Sequence, residues 1–316
     1  MHVLIYVPLL VPVLAAVCAR PLAERLPPRT ATWLLTVSAV ALAAASGAAL
    51  GLLAMAAAMR LPVIDSLGGM SLAAVLRLDP APLPLGVIAG AFFLTAALAA
   101  VRAAWLRTAA LIAVRRQARW LSGDGQVAVV QDDSADAYAL PGPRGRIVIT
   151  TGMLAALSEA ECGVLLAHER AHAAGRHYLF TALARLSAAA NPLLRPMAAA
   201  ISYSVERWAD ERAAVVSGSR LLAARTIAKA ALAAAGAPPA RMSTAGVLAA
   251  VPSRAELRKA GSVPRRVDAL LCPPPPRRIM LLLLAISLVA AAGLAAFHAA
   301  GDLHAMVEFA QAAAVS

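Results

Sequence analysis

The sequence predicts an α+β domain inserted between the third and fourth of four membrane-spanning helices. Three observations carry this. Four long stretches contain no Asp, Glu, Lys or Arg: Met1–Ala19, Thr30–Met59, Pro80–Val101 and Ile279–Gly301. Each approaches or exceeds the roughly 20 apolar residues that a bilayer-crossing helix needs. Most of the remaining charge is gathered between the third and fourth stretches. Inside that block, short β-branched runs give way to helical periodicity. The layout is therefore three spans in residues 1–104, a polar domain in 105–278, and a fourth span with a short tail in 279–316.

Hydrophobic residues make up 61% of the 316-residue chain and charged residues 15%. A soluble domain is nearer half apolar and a quarter charged, so these values exclude a disordered chain and an ordinary cytosolic enzyme. The net charge of +12 would suggest nucleic acid in a soluble protein. Here the basic residues are nearly all arginines beside apolar runs; only Lys229 and Lys259 are lysines. Such residues set membrane orientation, and no direct nucleic-acid partner is expected. Cys18, Cys162 and Cys272 form no C-x-x-C pair, which argues against a disulfide framework and a cysteine metal site.

The first stretch has no basic leader and is followed closely by a second, so it reads as a span rather than a cleaved signal. Gly47 and Gly51 form a small-xxx-small pair in the second, a spacing that lets helices approach. The loop after the first span carries Arg20, Arg25 and Arg29 against Glu24. The block after the third opens with Arg102, Arg107, Arg115, Arg116 and Arg119 and closes with Arg265, Arg266, Arg277 and Arg278. The tail has Asp302 and Glu308 and no basic residue. Under the positive-inside rule both termini lie outside and the block is cytoplasmic, in the inner (plasma) membrane.

Within the block, Trp105–Leu121 reads as a basic amphipathic helix, able to continue the third span, that either lies at the membrane interface or packs, solvated, on the domain. Val127–Val130, Tyr138–Leu140 and Ile147–Thr150 read as strands of a small sheet, with Gly142, Pro143 and Gly145 in a hairpin turn. Pro273–Pro276 form a stiff spacer before the fourth span.

His168-Glu169-Arg170-Ala171-His172 spells H-E-x-x-H. Ser158 and Glu161 form a capping box that starts a helix near Glu159, and Gly175 is its stop signal. On that helix His168 and His172 project from one face and can grip one zinc ion, with Glu169 placed to reach water beside it. Burying this trio in an otherwise apolar helix is costly unless something binds it. A zinc site needs a third protein ligand and an open position. Glu206 and Asp210, four apart in a second helical stretch, supply a third ligand and an acceptor for a ligand histidine's free N–H. The alternative is a solvated acidic face, with Glu206, Asp210 and Glu211 paired to Arg207 and Arg212. His177 falls one residue short of the extended H-E-x-x-H-x-x-G-x-x-H motif; Tyr178 holds the ligand position. His177 is therefore not expected to bind metal, and reads as a surface or interface residue or as a second polar group near a substrate.

Tyr138-Ala-Leu-Pro-Gly142, Ile147-Val-Ile-Thr150, Leu157-Ser-x-x-Glu161, His168-Glu-Arg-Ala-His172 and Glu206-x-x-Ala-Asp210 together resemble integral-membrane gluzincin metallopeptidases. The layout of three spans before the domain and one after resembles the BlaR/MecR-type antirepressors of β-lactam sensing. HtpX-type quality-control proteases are similar but arranged as two and two. The resemblance implies a gluzincin-like zinc peptidase domain. Zinc would be bound by His168, His172 and Glu206, with Glu169 as catalytic base and Asp210 behind a ligand histidine. It also implies proteolytic output, such as repressor cleavage. The sensor-transducers carry a penicillin-binding domain after the last span; here only Asp302–Ser316 follows, so sensing by an acylated serine is not implied. Expected partners are a protein or peptide substrate and the lipid bilayer, with self-association left open. Two rival readings stand: an HtpX-like quality-control protease, and a zinc-binding signalling scaffold without turnover.

Overall fold

The computed structural model describes residues 3–59, 83–118, 126–140, 146–236, 261–273, 275–276 and 279–315. The loop between the second and third spans, Trp120 and Leu121, and the turn at Gly142, Pro143 and Gly145 lie outside them.

A 3₁₀ turn at Val3–Tyr6 leads into α1 (Val7–Arg25), followed by α2 (Pro28–Ala58) and α3 (Leu83–Ala118). All three are long and apolar enough to cross a membrane. The first begins later than expected and runs through Arg20 and Pro21, helped by an Arg20–Glu24 pair at 3.0 Å. The third is continuous through Trp105 to Ala118, so the basic amphipathic segment extends the apolar helix. The Gly47–Gly51 pair is only half used. Nothing lies within 4 Å of where a Gly47 side chain would be, whereas Gly51 faces the Phe93 ring. α2 and α3 also approach at Gly86, where a Cβ would collide with the Ala57 methyl. Only glycine allows the backbones that near.

Strands β1 (Val127–Val130), β2 (Ala137–Ala139) and β3 (Ile147–Thr150) form one sheet in the order β1-β3-β2. The expectation of simple hairpins is corrected: β1 pairs β3 in parallel, and only β2 and β3 pair antiparallel. All four residues of β3 are buried, which suits the central place of its unbroken Ile-Val-Ile run.

The helical half follows as α4 (Thr151–Ala156), α5 (Glu159–Ala174), α6 (His177–Ala190), α7 (Arg195–Ser217), α8 (Arg220–Ala234) and α9 (Ser262–Leu271). The Ser158–Glu161 capping box starts α5 as expected. Glu161 also receives Lys229 Nζ of α8 at 2.6 Å. Finally α10 runs from Ile279 to Val315, with an apolar stretch at Ala285–His298. The tail that was expected to follow a span is helical too, because its alanines favour helix.

One core joins the two halves. Ala19, Ala23, Leu35, Ala39 and Leu42 of α1 and α2 pack with Phe180 and Ala184 of α6, Met197 and Ile201 of α7, and Ala292 of α10. The polar domain is not tethered beside the apolar helices; it shares their interior.

Candidate metal centre

Helix α5 holds the first part of the site. Its i, i+4 spacing brings His168 and His172 together, with Nε2 atoms 3.0 Å apart. Helix α7 crosses α5 and delivers Glu206. Its Oε2 lies 3.6 Å from His168 Nε2 and its Oε1 3.5 Å from His172 Nε2. Four residues on, Asp210 Oδ1 lies 3.0 Å from His168 Nδ1. That contact is near in distance but not aligned as a hydrogen bond, since His168 Nδ1 has no partner of correct geometry. All the residues singled out by sequence are thus brought together. The acidic-face alternative fails. Arg207 turns away to donate to the Ala23 carbonyl at 2.6 Å, and Glu211 pairs with Arg220.

One residue was missed, and one was placed only in part. Arg266, read only as membrane-orienting charge, is buried on α9. It grips Asp210 through Nε to Oδ2 at 2.7 Å and Nη2 to Oδ1 at 2.6 Å, and reaches Glu206 Oε2 at 3.0 Å. Asp210 and Arg266 are 56 residues apart, so no local pattern could pair them. His177 is not a surface residue but 2% exposed. It stands against the Trp208 ring and places Nδ1 3.0 Å from His172 Nδ1. The stop at Gly175 serves this contact. Gly175 is not left-handed, the positive φ falling on Arg176, but a Cβ on Gly175 would collide with the His177 ring.

Proton placement follows from these distances. If His172 offers its Nε2 lone pair to an ion, its Nδ1 carries the hydrogen, and His177 Nδ1 must accept it. His177 is then protonated on Nε2, which is buried without a partner and belongs to a residue lining the cleft. The cleft measures about 410 Å³ and is bounded by β2, α5, α6 and Glu206. Leu140 N–H bonds Arg146 O and Thr150 N–H bonds Asp136 O. In an antiparallel pair such bonded residues alternate, so Ala137 and Ala139 turn their backbone groups away from β3. Ala139 N–H donates to Glu169.

The field of the site favours a cation among the three ligand atoms. Burial opposes charge on His168, yet the Asp210 and Glu206 carboxylates outweigh it and push its pKa up to about 9. Burial and the neighbouring His168 charge push His172 down to about 3. Burial would raise Glu206, but His168 and Arg266 hold it at about 2. Burial raises Glu169 to about 7. The donor set also fits by size. One ligand atom from each of His168, His172 and Glu206 lies within 4.8 Å of the others, close enough to converge on one ion. Among the described residues, His168, His172 and Glu206 are the group able to hold a metal ion.

Residues 100–270 match peptidase family M48, more than half of the chain and all of the site. The chain belongs to peptidase family M48. No curated protein and no solved structure matches it. As an M48 member it is a metallopeptidase, a hydrolase of peptide bonds, and its three long apolar helices associate it with a membrane. The M48 match includes both α5 and α7, the two helices on which the metal-ligating cluster stands.

Proposed function

We propose that this M48 peptidase is a four-span, zinc-dependent endopeptidase of the inner membrane. Its catalytic domain lies between the third and fourth spans, faces the cytoplasm, and cleaves a cytoplasmic or membrane-associated protein of the repressor type, as the BlaR/MecR-type antirepressors do. The observation that carries the reading is the convergence of His168, His172 and Glu206 beside the buried carboxyl of Glu169.

Zinc held by His168, His172 and Glu206 would supply a Lewis acid that acidifies water and polarises the scissile carbonyl. The chain's own groups do the rest. Glu169 accepts a proton from the attacking water at its carboxylate and returns it to the leaving amine nitrogen. Its place in the cleft beside the ligands suits both transfers. Asp210, fixed by Arg266, orients His168, and His177 orients His172. An extended substrate donates to the outward carbonyls of Ala137 and Ala139 on the β2 edge beside the cleft, since their N–H groups are taken by Asp136 Oδ1 and Glu169.

Two measurements test the metal assignment. Glu206→Ala should abolish stoichiometric zinc in metal analysis of purified protein, since two histidines are an incomplete site. Asp210→Ala and His177→Ala should each keep one zinc at saturation but bind it about 10–100-fold more weakly. An emptied site in His177→Ala beside a full one in Glu206→Ala would reverse the assignment. Orientation is tested by reporter fusions: one after Ser316 should be active only in an extracytoplasmic form, and one inserted near Gly123 only in a cytoplasmic form. Comparison of cell proteomes between wild type and Glu169→Gln should reveal one accumulating intact protein. Accumulation of many unrelated membrane proteins would favour the HtpX-like reading.

A further inference from the structure

The turn between α6 and α7 lies far from the metal centre, and the peptidase chemistry gives it no task. Its position along α2 is informative. Asn191, at the tip, donates from Nδ2 to Ser46 Oγ at 3.1 Å. At 1.5 Å per residue the 31 residues of α2 extend about 46 Å, while a hydrocarbon core is about 30 Å thick, or about 20 helical residues. If α2 spans, the core covers residues somewhere between 28–47 and 39–58. Ser46 lies inside it at either extreme, and so does the tip that touches it.

The tip is built for that depth. Irregular backbone within a bilayer must satisfy its own polar groups. Asn191 N–H bonds Ser187 O at 2.8 Å, Leu194 N–H bonds Asn191 O at 2.9 Å, and Asn191 Oδ1 accepts Leu193 N–H at 3.1 Å. Ser46 Oγ in turn lies 2.8 Å from the Pro8 carbonyl, which lost its helical donor to Pro12. The outward side chains match lipid: Leu179, Leu183 and Leu193 are each more than 40% exposed. Between Tyr178 and Val205 only Arg185 and Arg195 are charged. Both are exposed and flank the tip, and long arginine side chains reach back toward headgroups. Arg107 of α3 stands within electrostatic reach of Arg185, a pair of like charges that anionic phosphates would relieve.

Resting on the membrane-spanning reading of α2 and α3, we propose that the α6–α7 hairpin is a re-entrant element. Its tip, Ala188–Leu194, inserts into the acyl region beside α2, and Arg185, Arg195 and Arg107 sit among anionic headgroups. The partner of this surface is lipid. His177 opens α6 and Glu206 stands midway along α7, about 17–20 Å from the tip at helical rise. The hairpin therefore sets the height of the cleft above the bilayer.

The test uses the full chain with Cys18, Cys162 and Cys272 replaced by serine, reconstituted in vesicles of phosphatidylcholine and phosphatidylglycerol. Single cysteines at Leu193, Leu183, Ala174 and Leu98 carry nitroxide labels. Collisional broadening is read with oxygen, which concentrates in lipid, and with a nickel chelate confined to water. Leu193 and Leu183 should lose nickel access and keep oxygen access, as Leu98 does on the exposed face of α3, while Ala174 should remain open to nickel. Nickel access at Leu193 equal to that at Ala174 overturns the insertion. Protection of Leu193 from both reagents also overturns it, because protein then covers the tip. Nickel access at Leu98 would overturn the spanning reading itself, and the insertion with it.

Discussion

Glu169→Gln is expected to abolish peptide hydrolysis while zinc stays bound. The carboxyl is buried next to His168 but does not belong to the metal-holding cluster. Glutamine keeps the volume and still accepts the Ala139 N–H through its amide oxygen, so neither the helix nor the ligands need move. What disappears is a group able to take a proton from water and return it to the amine. That contribution is typically about 10²–10⁴-fold in rate. Cleavage of an unfolded protein substrate by the purified enzyme, with zinc content determined on the same sample, reads both quantities. Wild-type turnover in the variant would remove Glu169 from the chemistry and leave the zinc-binding scaffold as the better reading.

Arg266→Leu is expected to destabilise the domain by about 3–5 kcal/mol, the usual cost of removing one partner of a buried ion pair. Asp210 is 1% exposed and takes two hydrogen bonds from the guanidinium. Without them a carboxylate remains in the interior beside Glu206 and Glu169. Leucine fills the space, so the cost arises from unpaired charge and not from a cavity. Zinc affinity should fall as well, since Arg266 also holds Glu206 at 3.0 Å. Arg266→Lys should recover part of the stability but less of the affinity, because an ammonium cannot make the planar two-bond grip. Denaturant unfolding and zinc competition check the two effects. Wild-type stability in Arg266→Leu would show that this pair does not fasten α9 to α7.

Residues close in sequence were legible because helical geometry is periodic. Once the Ser158–Glu161 box fixes the start of α5, His168 and His172 must share a face, whatever packs on them. The same holds for Glu206 and Asp210 on α7. The charge-free stretches announced apolar helices for the same reason: the property belongs to the segment. Only the tertiary structure decided how these segments meet. Arg266 has no local relation to Asp210; both are drawn in because a buried carboxylate needs a partner wherever the chain can supply one. His177 looked misplaced by one residue, yet the turn at Gly175 and Arg176 swings it back onto His172, as no straight-helix count could foresee. Strand order was likewise hidden, since a run of Ile-Val-Ile states that it is buried but not which neighbours bury it. Nor did the polar segment between the third and fourth apolar stretches reveal that its α6–α7 turn reaches Ser46. That contact spans 145 residues, and long-range contacts of this kind are selected by complementary packing and hydrogen bonding, which are properties of the assembled fold.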